Sequence, residues 1–276
     1  ACLSLGYAQP SADADLDAII LRGWTLVRRP TGGRAILHTD ELTYSVIGPT
    51  TDPRLAGGVL ESYRRLSQAL LQALVLLGVP AQADKEYAKL PSASPNGPVC
   101  FEVPSNYEIT VNGKKLIGSA QARRPNSLLQ HGSLPLTGDL ARITRGLKFE
   151  NEAARQIAAE RLLQRGATVE MITGQAVSWD KAARAMTAEL AKLLHMPEAH
   201  VLVGSTGRIG VTASGVGRSR HSICSSGPCR RWEATISISG TQHPTPHNGH
   251  DPWLRCQTFD GAWSYHGNNQ REMFRS

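Results

Sequence analysis

The chain contains 276 residues, of which 41% are hydrophobic, and it carries a net charge of +7. That apolar content is enough for one large domain or two small ones with a sizeable core. So modest a positive charge is far from the signature of a nucleic-acid-binding protein. The longest apolar run, residues 70–77, is interrupted by Gln72, so no segment is expected to cross a membrane.

The cysteines and the first residues bear on the cellular compartment. The five cysteines are odd in number and irregularly spaced, which argues against a disulfide framework. The first seven residues lack the basic segment of a secretory leader. Together these features predict a protein of the reducing cytoplasm.

Extended runs dominate the first fifty residues. They lie at residues 2–7, 24–29, 35–38 and 42–47, with a short helix predicted at 16–21. The sequence Thr31-Gly32-Gly33 separates the second run from the third, which predicts a hairpin between these two strands. Its glycines permit positive φ and close backbone approach.

Three amphipathic helices are predicted further along the chain. Residues 58–77 place apolar side chains three and four positions apart, and Gly78 ends this helix. The others span roughly residues 151–165 and 179–195, ending at Gly166 and before Pro197. Such apolar stripes are typical of helices that pack on a core.

The first candidate site combines Cys100 with residues 113–121. The turn Asn112-Gly113 joins two extended segments, which predicts a β-hairpin with Lys115 at the start of its second strand. A nearby ammonium lowers the pKa of a thiol and raises the fraction of thiolate, which is the attacking species. The pair alone leaves open a buried structural cysteine beside a solvent-facing lysine.

Beyond about residue 200 the character of the chain changes. Lysine is absent after Lys192, and glycine and serine reach ten each in the last 76 residues. Apart from residues 234–239, no segment has the pattern of an element. Residues 199–276 are therefore predicted to be a tail of disordered character, whose removal after about residue 200 leaves stability unchanged.

One spacing within this tail fits a zinc finger. It is formed by Cys224, Cys229, His243 and His247. Prolines beside both histidines are incompatible with the helix that presents such ligands. We predict no metal site and no cofactor.

Several stretches resemble the biotin/lipoate A/B protein ligase superfamily. The arginine- and glycine-rich residues 28–38 are similar to its first signature, and residues 113–121 and 129–132 to its second and third. Within the superfamily, the context of Cys100 and Glu108 is most similar to the LipM-type octanoyltransferases. The resemblance covers residues 1–198, which we predict to be the catalytic domain.

This resemblance implies a mixed α/β domain in which a largely antiparallel sheet is flanked by helices. Family members carry an N-terminal strand and helix before the segment that corresponds to residues 3–7, so the domain is expected to be truncated at its N-terminus. Residues 201–276 resemble nothing in the family.

The same resemblance implies an octanoyltransferase of lipoate biosynthesis. Cys100 would take the octanoyl group from octanoyl-acyl carrier protein, with Lys115 as its partner. The acceptor would be a lysine of a lipoyl domain or of the glycine cleavage H protein. The substrate would be bound by Arg29, Thr31, Gly32, Gly33, Arg34, His38, Gly118, Ser119, Ala120, Gln121, His131 and Gly132.

Two histidines and three other functions remain open from the sequence. His131 is a second candidate base, although a strand histidine beside glycine is more often a hydrogen-bonded structural residue, and the same holds for His38. The alternatives are an ATP-dependent lipoate–protein ligase, which would have no use for the Cys100 thiol, an octanoyl amidotransferase, and an inactive carrier-binding fragment.

Overall fold

The structure is a computed structural model that describes residues 1–83 and 108–195, together with three strands beyond them. Cys100 and the cysteines and histidines with zinc-finger spacing lie outside the described residues. The strands are β1 (Cys2–Leu5), β2 (Thr25–Arg28), β3 (Ile36–His38), β4 (Glu41–Pro49), β5 (Gln82–Ala83), β6 (Ile109–Val111), β7 (Lys114–Arg124), β8 (Ser127–Pro135), β9 (Ala199–Val203), β10 (Ile209–Ala213) and β11 (Thr235–Gly240). The α-helices are α1 (Leu16–Leu21), α2 (Val59–Leu76), α3 (Glu152–Arg165), α4 (Val169–Thr173) and α5 (Trp179–Leu193), and short 3-10 helices cover Ser11–Asp13 and Leu140–Gly146.

A six-stranded sheet forms the main layer, in the order β11-β4-β8-β7-β6-β5. Every neighbouring pair in it is antiparallel. Alternate residues of a strand point to opposite faces. On β4, Leu42, Tyr44 and Val46 therefore share one face, which belongs to the larger hydrophobic core.

Two helices, α2 and α5, cover that face of the sheet. Leu66, Leu70 and Leu74 on α2 are completely buried, as the apolar spacing of the sequence predicts. The helix begins where the Glu61 carboxylate accepts a hydrogen bond of 2.8 Å from the backbone N–H of Gly58. A helix pair on one face of an antiparallel sheet confirms the predicted mixed α/β class.

A smaller sheet of three strands, in the order β2-β1-β3, has a core of its own. Here the predicted hairpin between β2 and β3 is wrong. The strand β1 lies between them, parallel to β2 and antiparallel to β3. Residues 29–34 thus form a crossing connection over the end of β1, because the central strand of this sheet comes from an earlier part of the chain.

The segment predicted to be a tail contributes three described strands. β9 and β10 form an antiparallel pair, which the sequence did not predict. Residues 234–239, the stretch with the pattern of an element, overlap β11, which pairs with β4 at the edge of the main sheet and buries Ile238. The domain boundary at residue 198 remains a prediction. Among the described residues, no helix has both the length and the apolar character of a membrane span.

Candidate active site

A cleft of about 510 Å³ lies on the face of the main sheet that α2 and α5 leave uncovered. Strands β7 and β8 form its floor, and the connection 29–34 with β3 forms a wall. With two exceptions, every residue predicted for the site lines this cleft: Arg29, Gly32, Gly33, Arg34, His38, Lys115, Gly118, Ser119, Ala120, Gln121, His131 and Gly132. The exceptions are Thr31, which is buried and does not line the cleft, and Cys100, which lies outside the described residues.

The floor is built from small residues in a fixed register. Ala120 on β7 lies opposite His131 on β8, and Ser119 lies opposite Gly132. A Cβ atom at Gly132 would come within 2.5 Å of the Gly118 carbonyl oxygen and 2.6 Å of Tyr44 Cε1. Glycine is therefore required there by the close packing of the strands.

The glycine-containing wall is held in place by the buried side chain of Arg29. Its guanidinium donates hydrogen bonds to the carbonyl oxygens of Ser4 (3.0 Å), Gly32 (3.0 Å) and Arg34 (2.6 Å). Gly33 adopts a φ of 92°, which favours glycine. Arg29 thus fixes the shape of the wall, in addition to reaching the cleft.

His131 is neutral at ordinary pH. Burial and the nearby charges of Arg29 and His38 lower its pKa from 6.5 to about 3. Its Nε2 atom shares a hydrogen bond with the hydroxyl of Thr31. A general base is most effective when its pKa lies near the working pH, so this environment argues for a structural hydrogen-bonding role.

His38 has hydrogen-bond partners at both ring nitrogens. Nε2 lies 2.8 Å from Ser4 Oγ, and Nδ1 pairs with the carboxylate of Glu41. Burial raises the pKa of Glu41, but the charge and hydrogen bond of His38 and the hydroxyls of Ser133 and Thr43 outweigh it, so the pKa is lowered.

The order serine, histidine and glutamate in this cluster is that of a hydrolase triad. Ser4, however, lies in the middle of the small sheet, is 2% exposed and does not line the cleft. A nucleophile must reach its substrate, so the cluster joins the two sheets and is not a second catalytic centre.

Lys115 faces the cleft because of a β-bulge. The turn Asn112-Gly113 has positive φ at both residues, 51° and 74°, as the predicted tight hairpin requires. Thr110 pairs with Lys115 and Ile109 pairs with Ile117, so Leu116 is an extra residue in β7. Leu116 and Ile117 consequently both join the core, and Lys115 points to the opposite face.

The ammonium of Lys115 forms an ion pair with the carboxylate of Glu108. The two side chains are only 5% and 2% exposed. The backbone of Lys115 is fixed as well, since its carbonyl oxygen accepts a 3.0 Å hydrogen bond from the N–H of Ala167. The lysine therefore holds one position at the edge of the cleft.

A polar network supports the floor from the core side. The Tyr44 hydroxyl is 2.7 Å from Ser119 Oγ and accepts a hydrogen bond of 3.1 Å from Gln130. Gln130 in turn accepts from Gln121 at 2.9 Å. Burial raises the pKa of Tyr44 above its ordinary value of 10.0, so this hydroxyl stays protonated.

Four lining residues were not predicted from the sequence: Ile36, Thr43, Glu108 and Ser133. Glu108 had a usable signal. In the predicted hairpin it lies two residues before Thr110, the partner of Lys115, and diagonal neighbours on a sheet face are within reach of long side chains. The other three depend on how the two sheets meet, which local pattern does not specify.

The fold and the cleft define the class of protein, which is the catalytic domain of lipoate-protein ligases. A bi-partite lipoate protein ligase from Thermoplasma acidophilum superimposes with a TM-score of 0.56 at 25% identity, covering 70% of this chain and 68% of that one. A lipoate-protein ligase A bound with ATP gives a TM-score of 0.53 at 26% identity, with coverages of 70% and 69%. The sequence profile of the Lipoyl protein ligase A/B catalytic domain matches residues 1–191, and the chain belongs to this family.

Several relatives carry the name octanoyltransferase LipM. The protein of Lysinibacillus sphaericus is 38% identical over 200 residues, which are 71% of this chain and 72% of the relative. That of Symbiobacterium thermophilum is 41% identical over 199 residues, 70% of each chain. That of Carboxydothermus hydrogenoformans is 47% identical over 150 residues, 54% of each. The predicted superfamily and the class of enzyme, an acyltransferase, are confirmed.

The chain spans between about half and seven tenths of the length of these relatives. Activity, substrates and partners of a whole protein of this family are accordingly the subject of the proposal that follows.

Proposed function

We propose that this protein transfers an octanoyl group from octanoyl-acyl carrier protein to a lysine of a lipoyl domain or of the glycine cleavage H protein. The transfer proceeds through an octanoyl thioester on Cys100. The observation that carries this proposal is the cleft with its small-residue floor and buried Lys115, in a chain 38% identical to an octanoyltransferase over 71% of its length.

The size and the lining of the cleft suit a medium-length acyl chain. A volume of about 510 Å³ is within the range of small-molecule pockets. Gly118 and Ala120 leave the floor open, and Ile36 adds an apolar wall. Each buried methylene contributes about 0.8 kcal/mol, so such a slot distinguishes chain lengths.

A thioester donor explains why a thiol nucleophile is useful. The Cys100 thiolate forms a new carbon–sulfur bond to the acyl carbon, and the carrier's sulfur departs as a thiolate. Thioester exchange is nearly balanced in free energy, so this step needs no ATP. The acceptor amine then forms the amide, and the sulfur of Cys100 is released.

The test is incubation with octanoyl-acyl carrier protein in the absence of ATP, followed by intact-mass analysis. We expect a mass increase of one octanoyl group that hydroxylamine removes, and no increase in Cys100→Ser. Cys2→Ser is the matched control, because Cys2 is buried in β1 and should leave labelling unchanged. Equal labelling of wild type and Cys100→Ser would refute the thioester at Cys100.

An ATP-dependent lipoate–protein ligase is the second candidate. It is favoured by the similarity to a ligase structure bound with ATP. Free octanoate or lipoate with ATP should then modify an acceptor domain directly, and Cys100→Ser should keep this activity. Transfer in either of these two assays would exclude an inactive carrier-binding fragment. Transfer from an octanoylated acceptor domain to a second one would instead favour an amidotransferase.

A further inference from the structure

Glu108 is the only acidic residue among the described residues that line the cleft. The other charged or titratable side chains in the lining are basic: Arg29 and Arg34 on the wall, His38 on β3, His131 on β8 and Lys115 itself. Glu41 is not part of the lining, but its carboxylate contacts two lining residues, His38 and Ser133. Among the described lining residues, Glu108 is therefore the one that places a carboxylate in the cleft itself.

The ion pair fixes both the position and the charge of Lys115. The carboxylate of Glu108 contacts the ammonium, and both side chains are almost fully buried. In such surroundings opposite charges attract each other strongly, because little water is present to screen them. The bulge at Leu116 and the hydrogen bond from Ala167 hold the backbone of Lys115, so the lysine end of the pair is fixed in place.

We propose that Glu108 is a positioning residue that keeps Lys115 protonated and aimed at the cleft. Lys115 then acts as an ammonium that stabilises negative charge on the acyl carbonyl oxygen, and not as the base that deprotonates the acceptor. This inference rests on the proposed acyl transfer and deepens it.

The bond changes balance without a base at Lys115. The acceptor enters as a free amine and forms the carbon–nitrogen bond, while the carbon–sulfur bond of the thioester breaks. The surplus proton on the new amide nitrogen passes to the departing sulfur. Between these events the carbonyl oxygen carries negative charge, and a preorganised ammonium is the kind of group that stabilises it.

Removing the charge of Glu108 should slow octanoyl transfer if Lys115 acts as an ammonium, and should speed it near neutral pH if Lys115 acts as a base. Arg29 and Arg34 face the cleft from the wall, and their positive charges disfavour a proton on Lys115. His38 on β3 is paired with the carboxylate of Glu41. His131 on β8 is neutral at ordinary pH. Without the carboxylate, Lys115 should therefore lose its proton at lower pH.

The first experiment measures the proton on Lys115 directly. Wild type, Glu108→Gln and Glu108→Asp are labelled with limiting acetic anhydride across a pH series, and the fraction of modified Lys115 is read by peptide mass spectrometry. We expect labelling of Lys115 to begin at least one pH unit lower in Glu108→Gln than in wild type. Glu108→Asp should restore the wild-type midpoint. Identical midpoints in all three proteins would overturn the proposal.

The second experiment follows octanoyl transfer over the same pH range. The ratio of the Glu108→Gln rate to the wild-type rate should start below one and fall further as the pH rises, at least tenfold in total. A ratio that exceeds one near neutral pH would show that Lys115 is a base and overturn the proposal. Glu108→Asp should keep the wild-type pH profile at a reduced rate, because the charge remains and the position shifts.

Glu152→Gln is the matched control. Glu152 is 81% exposed and forms a surface ion pair with Arg155 on α3, so its removal should leave both readouts at wild-type values. If the wild type transfers no acyl group, the proposed function has failed. The labelling series still decides whether Glu108 holds the proton on Lys115.

Discussion

His131 combines a buried position with a pKa of about 3, and this has a consequence for stability. The unfolded chain takes up a proton on this histidine near pH 6.5, whereas the folded chain does not until about pH 3. The unfolded state therefore binds more protons in this window, and stability falls as the pH is lowered through it. Each pH unit between about 6.5 and about 3 lowers the free energy of unfolding by about 1.4 kcal/mol.

The first prediction concerns His131→Gln, which removes this dependence. The difference in free energy of unfolding, wild type minus variant, should fall by about 1.4 kcal/mol per unit from pH 6 to pH 4. Urea denaturation at four pH values measures it. Because its pKa is lowered, the Glu41 carboxylate also contributes stability that is lost in acid. This contribution is the same in both proteins, so it cancels in the difference. A constant difference would contradict a neutral, buried His131.

The second prediction compares two glycines of the cleft. A Cβ atom at Gly132 would press on backbone and side-chain atoms at 2.5–2.7 Å, whereas one at Gly32 meets nothing within 4 Å. Gly132→Ala should therefore lower the free energy of unfolding by about 1–3 kcal/mol. Gly32→Ala should keep the stability within about 0.5 kcal/mol, because its side chain enters open space. Thermal and urea denaturation of both variants provide the measurement, and equal losses would count against this packing.

Some residue roles were accessible from the sequence and others were not. The resemblance located the wall and the floor residues, and the structure brings them to one cleft. The strand alternation alone would put Lys115 on the same face as Ile117, inside the core. Only the bulge at Leu116 turns the lysine towards the cleft, and a bulge leaves no clear mark in local sequence.

At the scale of secondary structure, the sequence predicts correctly a turn that depends on neighbouring residues, and it fails where the pairing involves a distant strand. The turn Asn112-Gly113 joins β6 and β7 as expected, because neighbouring residues alone specify such a turn. The hairpin predicted across the connection 29–34 is wrong. The strands β2 and β3 are separated by β1, which comes earlier in the chain. No feature of residues 24–38 indicates that an earlier strand lies between them.

The third prediction concerns β11 at the edge of the main sheet. Ile238 pairs with Tyr44 on β4 and is completely buried. Ile238→Ala should lower the free energy of unfolding by about 2–5 kcal/mol, the usual cost of such a deletion in a core. Ile157→Ala on α3 is the control, since Ile157 is 48% exposed and its loss should be well below 1 kcal/mol.

The same strand changes what we expect from shortening the chain. A chain that ends after residue 200 lacks β11, so β4 becomes an unpaired edge and part of the core loses its cover. Such a chain should melt at a lower temperature and aggregate more readily, in contrast to the expectation from composition. An unchanged melting temperature would restore the view of a dispensable tail.

At the scale of the whole molecule, the cleft lies where the two sheets meet, each with its own hydrophobic core. The cluster of Ser4, His38 and Glu41 and the guanidinium of Arg29 connect the small sheet to this junction. A ligand in the cleft contacts both layers, and it stabilises the folded chain as a whole by mass action.

The fourth prediction uses this linkage. Octanoate at 100 times its dissociation constant should raise the free energy of unfolding by about 2.7 kcal/mol, which a thermal shift assay detects. Butanoate buries four fewer methylenes, each worth about 0.8 kcal/mol, and should have little effect at the same concentration. A filled cleft, as in Gly32→Trp, should abolish the shift. An equal response to both acids would argue against an acyl slot.

The bulge in β7 also restricts how the gene can vary in length. Only a few residues separate the turn at Asn112 from Ile117, where regular pairing with β6 continues after the bulge. Each of these residues is fixed on one face of the sheet. Because side chains alternate with a period of two, one inserted or deleted codon there would exchange the cleft-facing lysine for a core residue. Substitutions can be absorbed one at a time, but length changes must come in compensating pairs. We expect related genes to differ here in residue type and almost never in codon number.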